Sequence, residues 1–158
     1  MDTDTLQAVL RALHEEAVDY VLVGGAAMSL HGVVRATEDA DLFVRPTRDN
    51  VAALKRALRR VFQDEAIEEI SADDLLGDYP AVRYYPPRGE LFLDILTRLG
   101  EAFRYEDLVA EEIVVDGVPI RLATPATLFA MKRDTVRAVD RLDAERLAEL
   151  FDLRDEVP

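Results

Sequence analysis

The chain has 158 residues and no cysteine, and 19 basic against 32 acidic residues leave a formal charge of −13. A length of this order buries about two-thirds of the unfolded surface without metal or disulfide staples, so one ordinary domain that folds alone is expected. The charge excludes a broad electrostatic platform for nucleic acid, although a local basic patch is still allowed. No apolar run approaches the roughly 18 residues of a membrane span, and the acidic start MDTDT is unlike a basic, apolar leader, so a soluble, cytoplasmic protein with no membrane partner is expected.

Leu6, Val9, Leu10 and Leu13 recur at helical spacing behind Thr3 or Asp4, either of which can cap a first helix ending near Ala17. Tyr20 to Val23 is a short strand-forming run stopped by Gly24, after which AAMSLH predicts a helix that Gly32 ends. DADLFV alternates acidic and apolar residues, as a strand does, and Pro46 with Thr47 opens a helix carrying Val51, Leu54, Leu58 and Val61. Arg48, Lys55, Arg56, Arg59 and Arg60 make that helix basic; the face either binds an RNA acceptor or balances neighbouring acids. From Asp64 to Asp78, DEAIEEISADDLLGD carries seven acids and no base, which predicts a solvated helix and loop.

AVRYY and LFLDIL are strand-like runs joined by PPRGE, and EIVV with VPIRL flank Asp116 and Gly117, a dipeptide suited to a tight hairpin turn. Pro119 cannot donate to a ladder, which predicts an edge position for VPIRL. Thr124 followed by Pro125 starts a helix, and the C-terminal third is expected to be helical with Leu128, Met131, Leu142, Leu147 and Leu150 facing inward. The expected fold class is α/β (α+β): a mixed β-sheet packed by helices over residues 1–122 and a C-terminal helical pair over 123–158, together one domain.

On a strand, Asp39 and Asp41 point to one face, within reach of a shared cation, while Ala40 and Leu42 face the other way. Hard divalent ions prefer carboxylate, water and phosphate oxygens, and two ions about 4 Å apart can clamp both oxygens of an in-line displacement. Asp94 stands alone among Leu91, Phe92, Leu93, Ile95 and Leu96, where an unpaired charge is costly, and is the candidate third acid. Its alternative is a cross-sheet pair with Arg83 or Arg121. Two unit charges at 4 Å interact by roughly 4 kcal/mol at an effective dielectric of 20, so three carboxylates exclude a triphosphate unless metals neutralise them.

Gly24 and Gly25 begin the second helix; they either form a tight turn or bring phosphate close to free backbone N–H groups. A calcium-binding or purely structural acidic cluster fits less well, because TEDADLFV turns apolar at once where DxDxDG would continue with ligands. His14 and His31 lack ligand spacing and read as ordinary helix residues.

Gly24 and Gly25 after an apolar strand, thirteen residues, then Asp39, Ala40 and Asp41, with Asp94 on a later strand, resemble the signature of the nucleotidyltransferase superfamily that includes DNA polymerase beta. RATEDADLFV and MKRDTVRAVDRLD, with Lys132, Arg133, Arg137, Asp140 and Asp143, resemble the small bacterial nucleotidyltransferases related to abortive-infection toxins and minimal nucleotidyltransferases, often found in toxin–antitoxin pairs. The likeness runs from Tyr20 to about Leu150.

This resemblance implies a nucleotidyltransferase core over residues 1–122 that moves a nucleoside monophosphate from a triphosphate such as ATP to a hydroxyl. The acceptor is an RNA, such as a tRNA end, or a protein, and pyrophosphate leaves. By the same resemblance Asp39, Asp41 and Asp94 hold two Mg²⁺ ions, with Mn²⁺ also suitable, and Asp94 helps to deprotonate the acceptor. Gly24 and Gly25 hold the β and γ phosphates, with Ser29 or Arg35 adding phosphate contacts; Arg35 has a salt bridge to Glu38 or Asp39 as its alternative. Lys132 reaches the triphosphate or, alternatively, belongs to a solvated helix face, and Arg137 with Asp140 fixes the turn between the last two helices. Many members carry serine where this chain has Gly25. A small helical antitoxin is the implied partner. The alternative function is a catalytically weak or inactive module of the same fold serving in a regulatory complex.

Overall fold

The computed structural model describes residues 3–33, 39–87, 91–132 and 138–153. Helix α1 (Thr3–Glu15) buries Leu6, Val9, Leu10 and Leu13 along one face, and the chain leaves it through Ala17 in the left-handed region at φ 53°. Strand β1 (Tyr20–Val23) runs directly into α2 (Gly24–Leu30), and β2 (Asp39–Val44) is followed by α3 (Arg48–Val61), whose start Thr47 caps by accepting from the Asn50 N–H. The acidic segment folds as a 3-10 turn (Glu65–Glu69) capped by Asp64 and a short α4 (Ala72–Leu76) capped by Ser71. Its Ile67, Ile70 and Leu75 are buried, so these few apolar residues dock the segment onto the core.

Beyond it come β3 (Ala81–Tyr84) and β4 (Phe92–Leu96), a small hairpin of β5 (Arg98–Leu99) and β6 (Phe103–Arg104), then β7 (Ala110–Val115), β8 (Val118–Ala123), α5 (Pro125–Lys132) and α6 (Ala138–Phe151). Asp116 and Gly117 turn the β7–β8 hairpin with φ values of 50° and 78°, the paired positive values that a tight two-residue hairpin requires.

Among the described residues six strands form one mixed sheet in the order β3-β4-β2-β1-β8-β7, with β2 parallel to β4 and β1 parallel to β8. The expected mixed α/β architecture is therefore present. The register sets Val23 beside Asp41 and Asp41 beside Asp94, which brings the start of α2 and both acid-bearing strands together. Ala40 and Leu42, on the opposite face of β2 from the acids, are fully buried. Helix α5 packs on α6, β8 and α2.

Two expectations are corrected. Strand β8 is interior, lying between β1 and β7; Pro119 is tolerated because β1 pairs with β8 only at Leu122, so no ladder bond from β1 is missing at position 119. Leu142 and Leu150 of α6 are 47% and 57% exposed, because the inward stripe is Asp143, Ala144, Leu147 and Ala148 instead. The basic residues of α3 do meet neighbouring acids. Arg48 pairs with Asp73, Lys55 and Arg59 with Glu68, Arg56 with Glu16, and Arg60 with Glu15 and Glu16.

Asn50 ties the two central strands together from α3. Its Oδ1 accepts from the Asp19 N–H at 2.8 Å, and its Nδ2 donates to the carbonyls of Asp19 at 2.9 Å and Arg45 at 3.0 Å, just before β1 and just after β2. Asn50→Ala leaves buried backbone groups unsatisfied and is expected to cost about 2–3 kcal/mol. Urea unfolding measures this, and a loss under about 0.5 kcal/mol, the range of ordinary surface changes, would refute the role.

Candidate active site

Strand alternation and strand pairing assemble the site. Asp39 and Asp41 occupy alternate positions of β2, Asp94 lies opposite Asp41 on β4, and all three offer oxygens within 4.8 Å of one another. Each is partly buried. Gly24 has φ 69°, and a Cβ built there would stand 1.9 Å from Asp41 Oδ2. Both the backbone and the neighbouring carboxylate therefore demand glycine at this position. Gly24 also opens α2, whose first turn no side chain caps.

A cavity of about 240 Å³ joins Gly24 and Asp41 to Leu99 and to Leu128, Met131 and Lys132 of α5. Lys132 makes an ion pair with Asp143 of α6 at 3.1 Å, and both side chains are largely buried. The alternative of a solvated lysine is thereby set aside.

Asp39, Asp41, Asp94, Gly24 and Lys132 thus converge. Gly25 is buried in the first turn of α2, while Ser29, on the last turn, is exposed and does not line the cavity. Arg35, Arg133 and Arg137 lie outside the described residues, as does the side chain of Asp140. His31 serves the packing: its Nε2 is 2.8 Å from the Ala123 carbonyl, and its ring meets Phe151 edge-on.

Arg83 decides between the alternatives left open for Asp94. It sits opposite Asp94 on β3 and grips both carboxylate oxygens, Nε to Oδ1 at 2.8 Å and Nη2 to Oδ2 at 3.1 Å. Asp94 belongs to the acidic trio and to this ion pair at once, with Arg121 left on β8.

The trio's electrostatics follow from this arrangement. Burial, then the charges of Asp39 and Asp94 and a hydrogen bond with Asp94, push the Asp41 carboxyl up to about 7, against a smaller pull from Lys132. Burial also pulls Asp94 upward, but hydrogen bonding with Arg83 and Asp39, the Arg83 charge and a bond with Asp41 hold it below the usual carboxylate range. Three hard oxygen donors whose crowding raises the proton affinity of one member suit a hard divalent cation.

Comparison with known proteins gives a consistent picture. Residues 6–153 match the family described as nucleotidyl transferase AbiEii toxin, type IV TA system. No curated protein matches the sequence. The solution structure of the antibiotic-resistance factor ANT(2″)-Ia is similar in fold, with TM-score 0.56 and 22% identity over 99% of this chain and 88% of that one. The crystal structure of ANT(2″)-Ia in complex with adenylyl-2″-tobramycin is similar with TM-score 0.54 and 20% identity, covering 96% and 88% respectively.

The raised Asp41 value carries a pH signature. Between about pH 4, where an unfolded aspartate titrates, and about pH 7, the folded protein holds a proton that the unfolded chain has lost, so stability falls as pH rises through that window. Asp41→Asn removes this loss. In EDTA the variant is expected to exceed the parent protein by up to a few kcal/mol above pH 7, with no such gain below pH 4. Urea titrations at a series of pH values test this, and parallel stability curves would refute it.

Proposed function

The chain belongs to the AbiEii nucleotidyl transferase toxin family of type IV toxin–antitoxin systems, and from that premise we propose that it transfers a nucleoside monophosphate from a nucleoside triphosphate to a hydroxyl of an RNA or protein acceptor. The observation that supports this most is the convergence of Asp39, Asp41 and Asp94 within 4.8 Å, beside a glycine that Asp41 overhangs. In the proposed reaction the acceptor oxygen attacks the α-phosphorus, the bond from that phosphorus to the bridging oxygen of the β-phosphate breaks, and pyrophosphate departs. The hydroxyl proton passes to the Asp94 carboxylate.

Asp39, Asp41 and Asp94 would hold the divalent ions, Mg²⁺ or Mn²⁺. When bound, such ions neutralise the triphosphate and polarise the reacting oxygens. The chain's own residues supply the placement. Gly24, with no side chain, allows phosphate close to the backbone at the opening of α2, and the Gly25 amide follows in the same turn. Lys132, anchored by Asp143, directs a cation into the same cavity. Arg83 keeps Asp94 ionised and fixes its plane. In ANT(2″)-Ia the ligand adenylyl-2″-tobramycin is itself a nucleotidyl group joined to an acceptor, the class of bond proposed here.

A small helical antitoxin is the proposed partner within the toxin–antitoxin system. Among the described residues no helix is long and apolar enough to cross a membrane, and the proposed place of action is the cytoplasm.

Incubation with each labelled nucleoside triphosphate, Mg²⁺, total tRNA and cell lysate is expected to label an RNA or a protein. Asp39→Ala combined with Asp41→Ala should abolish the transfer while the fold persists, and Asp94→Asn should slow it by about 10²- to 10⁴-fold. Normal transfer by the double variant would overturn the site, and an absence of both transfer and metal-dependent triphosphate binding would overturn the function.

A further inference from the structure

The small hairpin sets Arg98 of β5 directly opposite Arg104 of β6, and Leu99 opposite Phe103. Leu99 lines the cavity that holds Asp41 and Lys132. Strand alternation turns Arg98 and Arg104 to the other face of the hairpin. There both arginines are exposed and line two adjoining cavities of about 650 and 320 Å³, which also share Pro80.

Residues directly opposite on an antiparallel pair have Cβ atoms about 5 Å apart, and like charges placed so repel. Acids outnumber bases by 32 to 19 in this chain, and the basic residues of α3, Arg45 and Arg83 each meet a carboxylate. Among the described residues neither Arg98 nor Arg104 forms an ion pair, although Glu101 borders one cavity and Glu106 the other. The backbone beneath the two guanidiniums is held firmly. Thr97, buried just before Arg98, donates its N–H to the Pro80 carbonyl at 2.8 Å and its hydroxyl to the Leu75 carbonyl at 2.5 Å. The Arg104 N–H donates to Asp107 Oδ2 at 2.8 Å.

We propose that Arg98 and Arg104 form a binding site for a phosphate dianion, free or as the terminal phosphate of a nucleotide, separate from the acidic trio and divided from it by the hairpin. Two neighbouring positive charges are balanced by one group carrying two negative charges, and each guanidinium fork matches a pair of phosphate oxygens. The anion removes the repulsion that the register imposes, and the anchored strands leave only side-chain freedom to be lost on binding. A phosphodiester chain fits less well: it offers one charge per phosphate, and its further phosphates meet a protein of net charge −13. The site does not depend on nucleotidyl transfer.

Titration calorimetry at pH 8 in EDTA tests this with inorganic phosphate, AMP and a short oligoribonucleotide lacking terminal phosphates. The parent protein is expected to bind phosphate or AMP more tightly than the oligoribonucleotide. Equal affinities for the first two identify the free anion as the ligand, and tighter AMP identifies the nucleotide. Arg98→Gln and Arg104→Gln should each weaken binding about tenfold, and the double variant should remove it while melting no lower than the parent in anion-free buffer. Asp39→Ala combined with Asp41→Ala should bind as the parent does. Undiminished binding by the double arginine variant, loss of binding in the aspartate variant, no binding by the parent, or preference for the oligoribonucleotide would each overturn the site. None of these outcomes bears on the transferase proposal, which the transfer assay decides.

Discussion

Three carboxylates held within 4.8 Å of one another repel, and much of what surrounds them makes that proximity tolerable. At an effective dielectric of 20 each such pair costs roughly 4 kcal/mol before any compensation. The protein meets this cost locally. Arg83 binds Asp94 through two hydrogen bonds, Lys132 lends part of its field to Asp41, and Asp41 takes up a proton more readily than an ordinary aspartate. A chain with no use for this cluster would lower its energy by replacing any one of the three, so the arrangement points to a ligand that carries the missing positive charge.

The sheet order explains how so few residues build the cluster. Because β2 lies between β1 and β4, one strand's acids meet the start of α2 on one side and a second acidic strand on the other. The antiparallel β1–β2 pairing ends with Val23 beside Asp41, and the next residue is Gly24. A side chain there would collide with the Asp41 carboxylate, so the glycine is fixed by the acid and the acid by the strand register. Asn50 guards that register from a distance by joining the residue before β1 to the residue after β2.

Features that depend on short-range periodicity were legible in the chain. Asp39 and Asp41 share a face because strands alternate, and Asp116 with Gly117 turns a hairpin because both adopt positive φ. Features that depend on which strands become neighbours were not. Arg83 and Arg121 looked equivalent as partners for Asp94 until the register put Arg83 opposite it, and Pro119 suggested an edge although β1 covers only the far end of β8. On α6 the leucines at 142 and 150 suggested the inward face, which Asp143 occupies instead, and its burial makes sense only once Lys132 on another helix pairs with it. The fork from Arg83 to Asp94 had one available signal: an arginine and an aspartate on adjacent strand-like runs, each otherwise among apolar or aromatic neighbours.

The two cations beside the trio differ in a way that separates their work. The Lys132 side chain is 12% exposed and anchored to the buried Asp143, so its ammonium is held in place before any ligand arrives. Such a fixed charge favours a group that always presents the same geometry, as the triphosphate does, and it costs little reorganisation on binding. The Arg83 side chain is 48% exposed and lies over the Phe92 ring at the sheet edge, where it can adjust while retaining Asp94. The site is therefore polarised across the sheet, rigid on the side of β1 and α5 and adaptable on the side of β3, with the acids at the boundary between the two.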